Sequence, residues 1–332
     1  MEYRNLGKSG LKVPVLSYGT GTFGGTNEFF GRWGKTDVKE ASKLIDICLE
    51  RGVNFFDTAN VYSQGDSESI LGAALSGKRQ NSIISTKATF QMGGGPNDQG
   101  ASRFHLTNAL EDSLRRLQTD YIDLYIMHGF DTNTPIEETL RTLEKMVNSG
   151  KVRYIGCSNF AAWQLMKSLS VSDRLNLEKY IVYQGYYSVI GRDYEQELMP
   201  LVKDQELGLM VWSPLGWGRL TGKIKRNQPV GEGRIKSGGA IGSPPVNDEL
   251  VYDVVDSLER IALEMDKSIP QVAINWLLQN DTVSSIVIGA RNERQLIDNL
   301  DSVGWSLLPQ HIEELNTLTQ PNLLYPHWVG KR

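Results

Sequence analysis

Ile122-Asp123-Leu124-Tyr125-Ile126-Met127-His128 is a short apolar run. A longer amphipathic run follows at 135–149, and then a second apolar run, Val152-Arg153-Tyr154-Ile155-Gly156-Cys157-Ser158-Asn159. Pro135 stands where a first-turn proline is tolerated and Gly150 follows the last turn, so 135–149 reads as a helix. Runs that are apolar on both faces and separated by helices predict strands of a buried parallel sheet.

The same alternation extends outward along most of the chain. Apolar runs at 13–23, 54–59, 82–87, 122–128, 152–159, 180–187, 208–215 and 284–290 make eight strands. Helical patterns fall between them at 37–51, 67–76, 103–118, 135–149, 161–170, 195–206 and 248–279, with another after 291. Thr36-Asp37 opens the first and Arg51-Gly52 closes it, as capping preferences expect. Eight units in about 300 residues point to an α/β fold, a single-domain (β/α)8 barrel, although an open doubly wound sheet fits the same alternation. The Gly- and Pro-rich stretch 216–247 is the longest loop, a length more often functional than idle. The segment 302–332 extends beyond the eighth unit as a C-terminal extension of a domain read as 1–332.

Composition narrows the function classes. Of 332 residues, 40% are hydrophobic and 22% charged, an ordinary globular balance able to bury a large core. Thirty-five Lys and Arg against 39 Asp and Glu give a net charge of −4, without the basic stripe that a phosphate backbone requires, so nucleic acid is not an expected partner. Cys48 and Cys157 lie far apart and suggest neither a disulfide framework nor a metal site; both are expected to be reduced and packed. Met1-Glu2-Tyr3-Arg4-Asn5 carries charge where a signal peptide needs an apolar run, and no stretch approaches the roughly 20 apolar residues that span a bilayer. No membrane association and a cytoplasmic location are expected. Oligomeric state is not legible.

What sits where each apolar run stops is the most informative pattern. The second ends Phe55-Phe56-Asp57-Thr58, the third Ser85-Thr86-Lys87, and the fourth Ile126-Met127-His128. The fifth ends Cys157-Ser158-Asn159, the sixth Tyr183-Gln184 and the seventh Trp212-Ser213. A parallel barrel brings these ends to one face, where active sites of this architecture lie. A carboxylate (Asp57), an ammonium (Lys87), an imidazole (His128) and a nearby phenol (Tyr62) then form one constellation. A phenol is a poor acid at neutral pH, with an ordinary pKa of about 10, and a neighbouring ammonium favours its ionised form. Asp57 can hold that ammonium while His128 donates to a substrate oxygen. Hydride addition to a carbonyl makes an alkoxide, so a tuned acid with a hydrogen-bond donor suits that step. Taken singly, each has an ordinary alternative: Asp57 and Lys87 as a structural ion pair, His128 as a satisfied structural histidine, Tyr62 as packing.

Gly19-Thr20-Gly21-Thr22-Phe23-Gly24 matches the dinucleotide fingerprint G-x-G-x-x-G. The fingerprint works only where it opens a helix, and the following Gly25-Thr26-Asn27-Glu28-Phe29-Phe30-Gly31 does not read as one. A Rossmann domain is rejected.

Together these residues resemble the aldo-keto reductase family over nearly the whole chain. Asp57-Thr58-Ala59-Asn60-Val61-Tyr62 is similar to its D-T-A-x-x-Y segment, and Lys87 and His128 match its other catalytic positions. Gly156-Cys157-Ser158-Asn159-Phe160 resembles its G-x-S-N-F signature. Trp212-Ser213-Pro214-Leu215 with Leu220-Thr221-Gly222-Lys223 resembles the cofactor loop, in the form found in the subgroup that includes potassium-channel β subunits.

The resemblance implies a barrel that binds NADP(H) and reduces an aldehyde or ketone, with Tyr62 as general acid, Lys87 and Asp57 tuning it, and His128 orienting the carbonyl. It also implies that Ser158, Asn159 and Gln184 hold the nicotinamide carboxamide, that the ring stacks on Trp212, and that Ser213, Pro214 and Leu215 continue that contact. Gly21, Thr22 and Phe23 would line the cofactor's approach. The stretch from Gly289 to Asn299 resembles the adenosine-end motif: Arg291 suits a 2′-phosphate, and Gln295, Asp298 and Asn299 the adenine. Lys223 and Arg234 would clamp phosphates. Candidate pocket aromatics are Phe29, Phe30, Trp33, Phe90, Phe130, Trp217, Tyr325 and Trp328.

Two alternatives belong to other classes. A nucleotide-sensing regulatory subunit of the same fold fits the subgroup, but those subunits depart from the family pattern at the position of His128 and carry an extended N-terminal segment. A barrel aldolase would use Lys87 as a Schiff-base nucleophile, but that needs a desolvated neutral lysine, and Asp57 stabilises the charged form.

Overall fold

A computed structural model describes residues 1–25, 28–226 and 244–329. β1 (Tyr3–Asn5) and β2 (Lys12–Pro14) form an antiparallel hairpin. Eight parallel strands follow: β3 (Leu16–Gly19), β4 (Phe55–Asp57), β5 (Ile83–Ala88), β6 (Ile122–Met127), β7 (Val152–Ser158), β8 (Val182–Tyr186), β9 (Gly208–Trp212) and β10 (Val283–Ile288). They close in chain order, β10 pairing with β3, so the structure is the (β/α)8 barrel and not the open sheet.

The helices wrap the outside: α1 (Glu28–Gly31), α2 (Val38–Glu50), α3 (Asp66–Ala74), α4 (Arg103–Leu117), α5 (Ile136–Asn148), α6 (Ala162–Leu175), α7 (Leu198–Asp204), α8 (Asp248–Met265), α9 (Ile269–Leu278), α10 (Glu293–Leu300) and α11 (Pro309–Leu318). Their one-sided apolar spacing explains the arrangement. Along α2, Ala41, Leu44, Ile45 and Cys48 recur at three- and four-residue intervals and are buried, while Asp37 caps the first turn by accepting from the Glu40 N–H at 2.9 Å. Cys48 and Cys157 are free thiols buried in the shell between barrel and helices.

Two expectations are corrected. The apolar run 13–23 is not one strand: its first residues belong to β2, and only Leu16–Gly19 enters the barrel. The hairpin plugs the end of the barrel opposite the strand C-termini. There Leu6 and Val13 pack with Phe55, Leu124, Ile126, Val182 and Met210 from the strands, and Arg4 donates to the Val283 and Leu278 carbonyls at 2.8 and 3.1 Å. The helical pattern 248–279 is two helices. Asp266 turns left-handed at φ 51°, and Ser268 with Gln271 forms a capping box that starts α9 afresh. The fingerprint-like glycines after β3 open no long helix; a turn follows, with the Thr20 N–H donating to the Asp57 carbonyl at 2.9 Å. Among the described residues, no helix is long and apolar enough to cross a membrane.

Glu68 fastens the Tyr62 side of the barrel. It is fully buried and accepts from Arg116 Nε at 2.6 Å and Thr86 Oγ1 at 2.5 Å, joining α3 to α4 and β5. Glu68→Ala strands both donors. The expected loss is about 3 kcal/mol, the low end for a broken buried pair because Arg116 keeps some solvent contact. It is read as a lower urea midpoint at unchanged m-value; a midpoint equal to the parent's would show that the carboxylate is dispensable.

Candidate active site

The parallel register sets the strand C-termini level with one another. Gly19 lies opposite Asp57, Asp57 opposite Ser85, Ser158 opposite Gln184, and Tyr186 opposite Trp212. Asp57 is the hub. Its Oδ2 accepts from Lys87 Nζ at 2.7 Å, and its Oδ1 accepts from Ser85 Oγ at 2.6 Å and from Gln184 Nε2, across the barrel, at 3.0 Å. Lys87 also donates to the Thr58 carbonyl at 2.6 Å and to the Tyr62 phenol, whose ring centroid lies 5.1 Å from Nζ. Burial by itself would lower the Lys87 ammonium. The Asp57 carboxylate and the Tyr62 phenol more than offset that, so its pKa stands above the ordinary lysine value. An ammonium held by Asp57 at 2.7 Å is a poor Schiff-base nucleophile, which argues against the aldolase reading.

His128 follows β6 and is wedged between Phe90 and Tyr62, ring centroids 4.4 and 5.8 Å away. Desolvation, and then the nearby Lys87 charge, push its pKa well below the usual value, so the imidazole is neutral. Its buried Nδ1 has no hydrogen-bond partner. Its carbonyl accepts from Asn159 Nδ2 at 3.0 Å, and Asn159 Oδ1 accepts from Trp212 Nε1 at 3.2 Å. Asn159 reaches both because its backbone is left-handed, φ 59°. The Trp212 ring is thereby fixed, packed 5.2 Å from Tyr186 and 5.9 Å from Trp217.

One cavity of about 1400 Å³ runs from Tyr62 and His128 past Trp212 to α10. It exceeds the roughly 300–1,000 Å³ usual for a single small ligand. Of the residues singled out by sequence, Gly21, Thr22, Ser158, Asn159, Gln184, Trp212, Ser213, Pro214, Leu215, Lys223, Gly289, Arg291, Gln295, Asp298 and Asn299 all line it. Ser158 Oγ is buried without a partner. Ser213, left-handed at φ 55°, accepts the Trp217 N–H at 2.9 Å. At the far end Gln295 Oε1 accepts the Arg291 N–H at 3.0 Å, and Asn299 Nδ2 donates to the Gly289 carbonyl at 3.1 Å. The Arg291 guanidinium donates to the Trp33 and Arg32 carbonyls at 2.8 and 2.9 Å.

Not every candidate joins the cavity. Phe23 is corrected: its side chain is fully buried in the shell against Tyr18 and does not line the cavity, because the turn after β3 points it inward. Arg234 lies outside the described residues. Phe29, Phe30, Trp33, Phe90 and Trp217 do form a wall around Tyr62, whereas Phe130 packs on Phe160 and Trp163, and Tyr325 and Trp328 pack on each other at the surface. Sequence reading missed Ser268, the N-cap of α9, and Ile269 and Pro270, its first residues, which border the cavity. Reading 248–279 as one helix concealed that end; the Ser268–Gln271 capping box was the available signal.

Residues 16–320 match the Aldo/keto reductase family. The chain is 38% identical over 330 residues to a probable voltage-gated potassium channel subunit beta of Oryza sativa subsp. japonica, covering 96% of this chain and 97% of that one. It is 40% identical over 311 residues to a probable voltage-gated potassium channel subunit beta of Arabidopsis thaliana, covering 91% of each. It is also 35% identical over 329 residues to the uncharacterized oxidoreductase YrpG of Bacillus subtilis, covering 96% of each. The chain belongs to the aldo/keto reductase family.

Proposed function

We propose that this oxidoreductase is an NADPH-dependent carbonyl reductase, taking an aldehyde or ketone to its alcohol with Tyr62 as general acid. The series Asp57–Lys87–Tyr62, ending beside a neutral His128 at one end of the long cavity, is the observation that carries the reading. The donors along the cavity fit a nicotinamide dinucleotide. Ser158 Oγ, buried without a protein partner beside Asn159 and Gln184, suits the carboxamide. Trp212 offers a flat face for the ring, with Ser213, Pro214 and Leu215 following it, and Gly21 and Thr22 line the same cavity. Lys223 and Arg291 suit phosphates, and Gly289, Gln295, Asp298 and Asn299 the adenine end. When bound, NADPH supplies the hydride that adds to the carbonyl carbon.

The chain's own residues handle the oxygen. His128, neutral, donates a hydrogen bond to the carbonyl oxygen and orients it. Tyr62 passes its phenolic proton to that oxygen as negative charge develops there. Lys87 stabilises the phenolate left behind, and Asp57 keeps Lys87 charged and in place. The aromatic wall of Phe29, Phe30, Trp33, Phe90 and Trp217 suits a carbonyl with an apolar body.

A regulatory subunit of the same fold is the second reading, favoured by the names of the two plant relatives. It shares the cofactor and differs in turnover, so one variant separates the two. In Tyr62→Phe, NADPH-linked reduction of 4-nitrobenzaldehyde is expected to fall about 10²–10⁴-fold, the range for losing a general acid, with NADPH affinity nearly unchanged. No turnover in the parent protein would favour the regulatory reading, and full turnover in the variant would remove Tyr62 from the chemistry.

Cofactor choice is tested separately. The parent is expected to bind NADPH more tightly than NADH, and Arg291→Ala is expected to narrow that gap about tenfold or more, since charge-assisted contacts to phosphate contribute about 1.5–3 kcal/mol. Equal titration midpoints for both cofactors in the parent would refute the assignment.

The neutral state of His128 has a stability signature. Its folded pKa is depressed, so below about pH 6.5 the unfolded chain takes up a proton that the folded site refuses. Stability therefore falls as pH drops through that value. His105, also depressed by burial, contributes a similar part. The decrease in urea midpoint from pH 7.5 to 5.5 is expected to be smaller in His128→Gln than in the parent; an equal decrease would mean that His128 accepts a proton in the folded protein.

A further inference from the structure

Immediately behind Tyr62 the backbone turns left-handed three times in succession, at Ser63 (φ 49°), Gln64 (φ 56°) and Gly65 (φ 97°). Glycine adopts that region freely. Here it is also the residue that fits, because a Cβ at Gly65 would stand 2.7 Å from Arg116 Cδ. Serine and glutamine are disfavoured there by contact between Cβ and the following carbonyl, and such residues persist only where the surroundings over-determine them. Gln64 is exposed and supplies no such restraint, whereas Ser63 is 1% exposed.

The Ser63 hydroxyl is the restraint. It accepts the Gly25 N–H at 2.8 Å and donates to the Phe23 carbonyl at 2.9 Å. Both partners lie on the turn after β3, which leads to α1 and its wall residues Phe29 and Phe30. Gly24, between them, fits so closely that a Cβ there would lie 2.9 Å from Ser63 Cβ. Ser63 thus ties the Tyr62 turn to the segment that carries the aromatic wall, yet it does not itself line the cavity.

We propose that Ser63 is a positioning residue for proton transfer: its doubly bonded hydroxyl holds the left-handed turn that aims the Tyr62 phenol between Lys87 and the substrate wall. The proposal rests on Tyr62 being the acid. Without the hydroxyl the turn is free to relax toward a right-handed conformation, which shifts the phenol away from Lys87 while leaving Ser158, Trp212 and Arg291 untouched.

The test is a double-variant cycle in the full chain, with 4-nitrobenzaldehyde reduction and NADPH binding by fluorescence as readouts. Ser63→Ala is expected to lower kcat about 10–100-fold, the penalty of a displacement near 1 Å, with the Kd for NADPH changed less than about threefold. Ser63→Gly, which adopts the left-handed turn without strain, is expected to recover most of that loss, because the turn then no longer needs the hydroxyl to hold it. Placed on Tyr62→Phe, Ser63→Ala is expected to add less than about a twofold loss, since it acts through a group already gone. A Ser63→Gly loss as large as that of Ser63→Ala, or a Ser63→Ala loss that multiplies in full on the Tyr62→Phe background, would overturn the proposal while leaving Tyr62 as the acid. Parent-like kcat in Tyr62→Phe alone would overturn the acid assignment and this proposal with it.

Discussion

The buried pair between Asp57 and Lys87, 2.7 Å apart, is the interaction on which the site depends. Both side chains are out of water, so each is tolerable only while the other is present and the remaining donors and acceptors are met. Ser85 and Gln184 complete Asp57, and the Thr58 carbonyl and Tyr62 phenol complete Lys87. These partners come from β5 and β8 and from the turn after β4. Only a closed barrel brings β8 across to β4, so ring closure and charge satisfaction require each other.

That pair also bears on His128, whose pKa is depressed first by burial and then by the Lys87 charge. A second cation beside the Lys87 ammonium in a desolvated site is disfavoured, and His128 carries that burden with its depressed pKa. Charged lysine and neutral histidine are therefore one electrostatic arrangement rather than two coincidences. The result is a local division of labour: a fixed positive charge behind the phenol, and an uncharged hydrogen-bonding ring facing the cavity.

Much of this was legible in the sequence because it is periodic or terminal. The eight apolar runs announce the strands, and the polar residues where they stop (Asp57, Lys87, His128, Asn159, Gln184 and Trp212) announce one face. What was hidden depends on backbone conformation or on packing across long separations. The division of 13–23 between hairpin and barrel follows from which edge each half pairs with, and no residue type marks it. Phe23 sits beside cavity residues Gly21 and Thr22 in sequence, yet the turn sends its ring into the core. The break at Asp266 was written in the Ser268–Gln271 capping box, which a single helical pattern over 248–279 passes over. The left-handed turn at Ser63 and Gln64 leaves no mark at all, since neither residue is a typical occupant of that conformation.

The glycine pattern after β3 shows why local motifs mislead when the architecture differs. In a Rossmann unit such glycines deliver a helix N-terminus to a pyrophosphate. Here they let the chain turn tightly over the barrel rim: a Cβ at Gly21 would fall 3.0 Å from Trp33 Cε3, and one at Gly24 would fall 2.9 Å from Ser63 Cβ. With no long helix opening at that point, the cationic side chains lining the far end of the cavity are Lys223, Arg291 and Arg294, beside the N-terminal ends of α9 and α10. The Arg291 guanidinium is anchored to the backbone of Arg32 and Trp33, next to the aromatic wall. The two ends of the cavity are thereby joined by direct hydrogen bonds as well as by a shared lining.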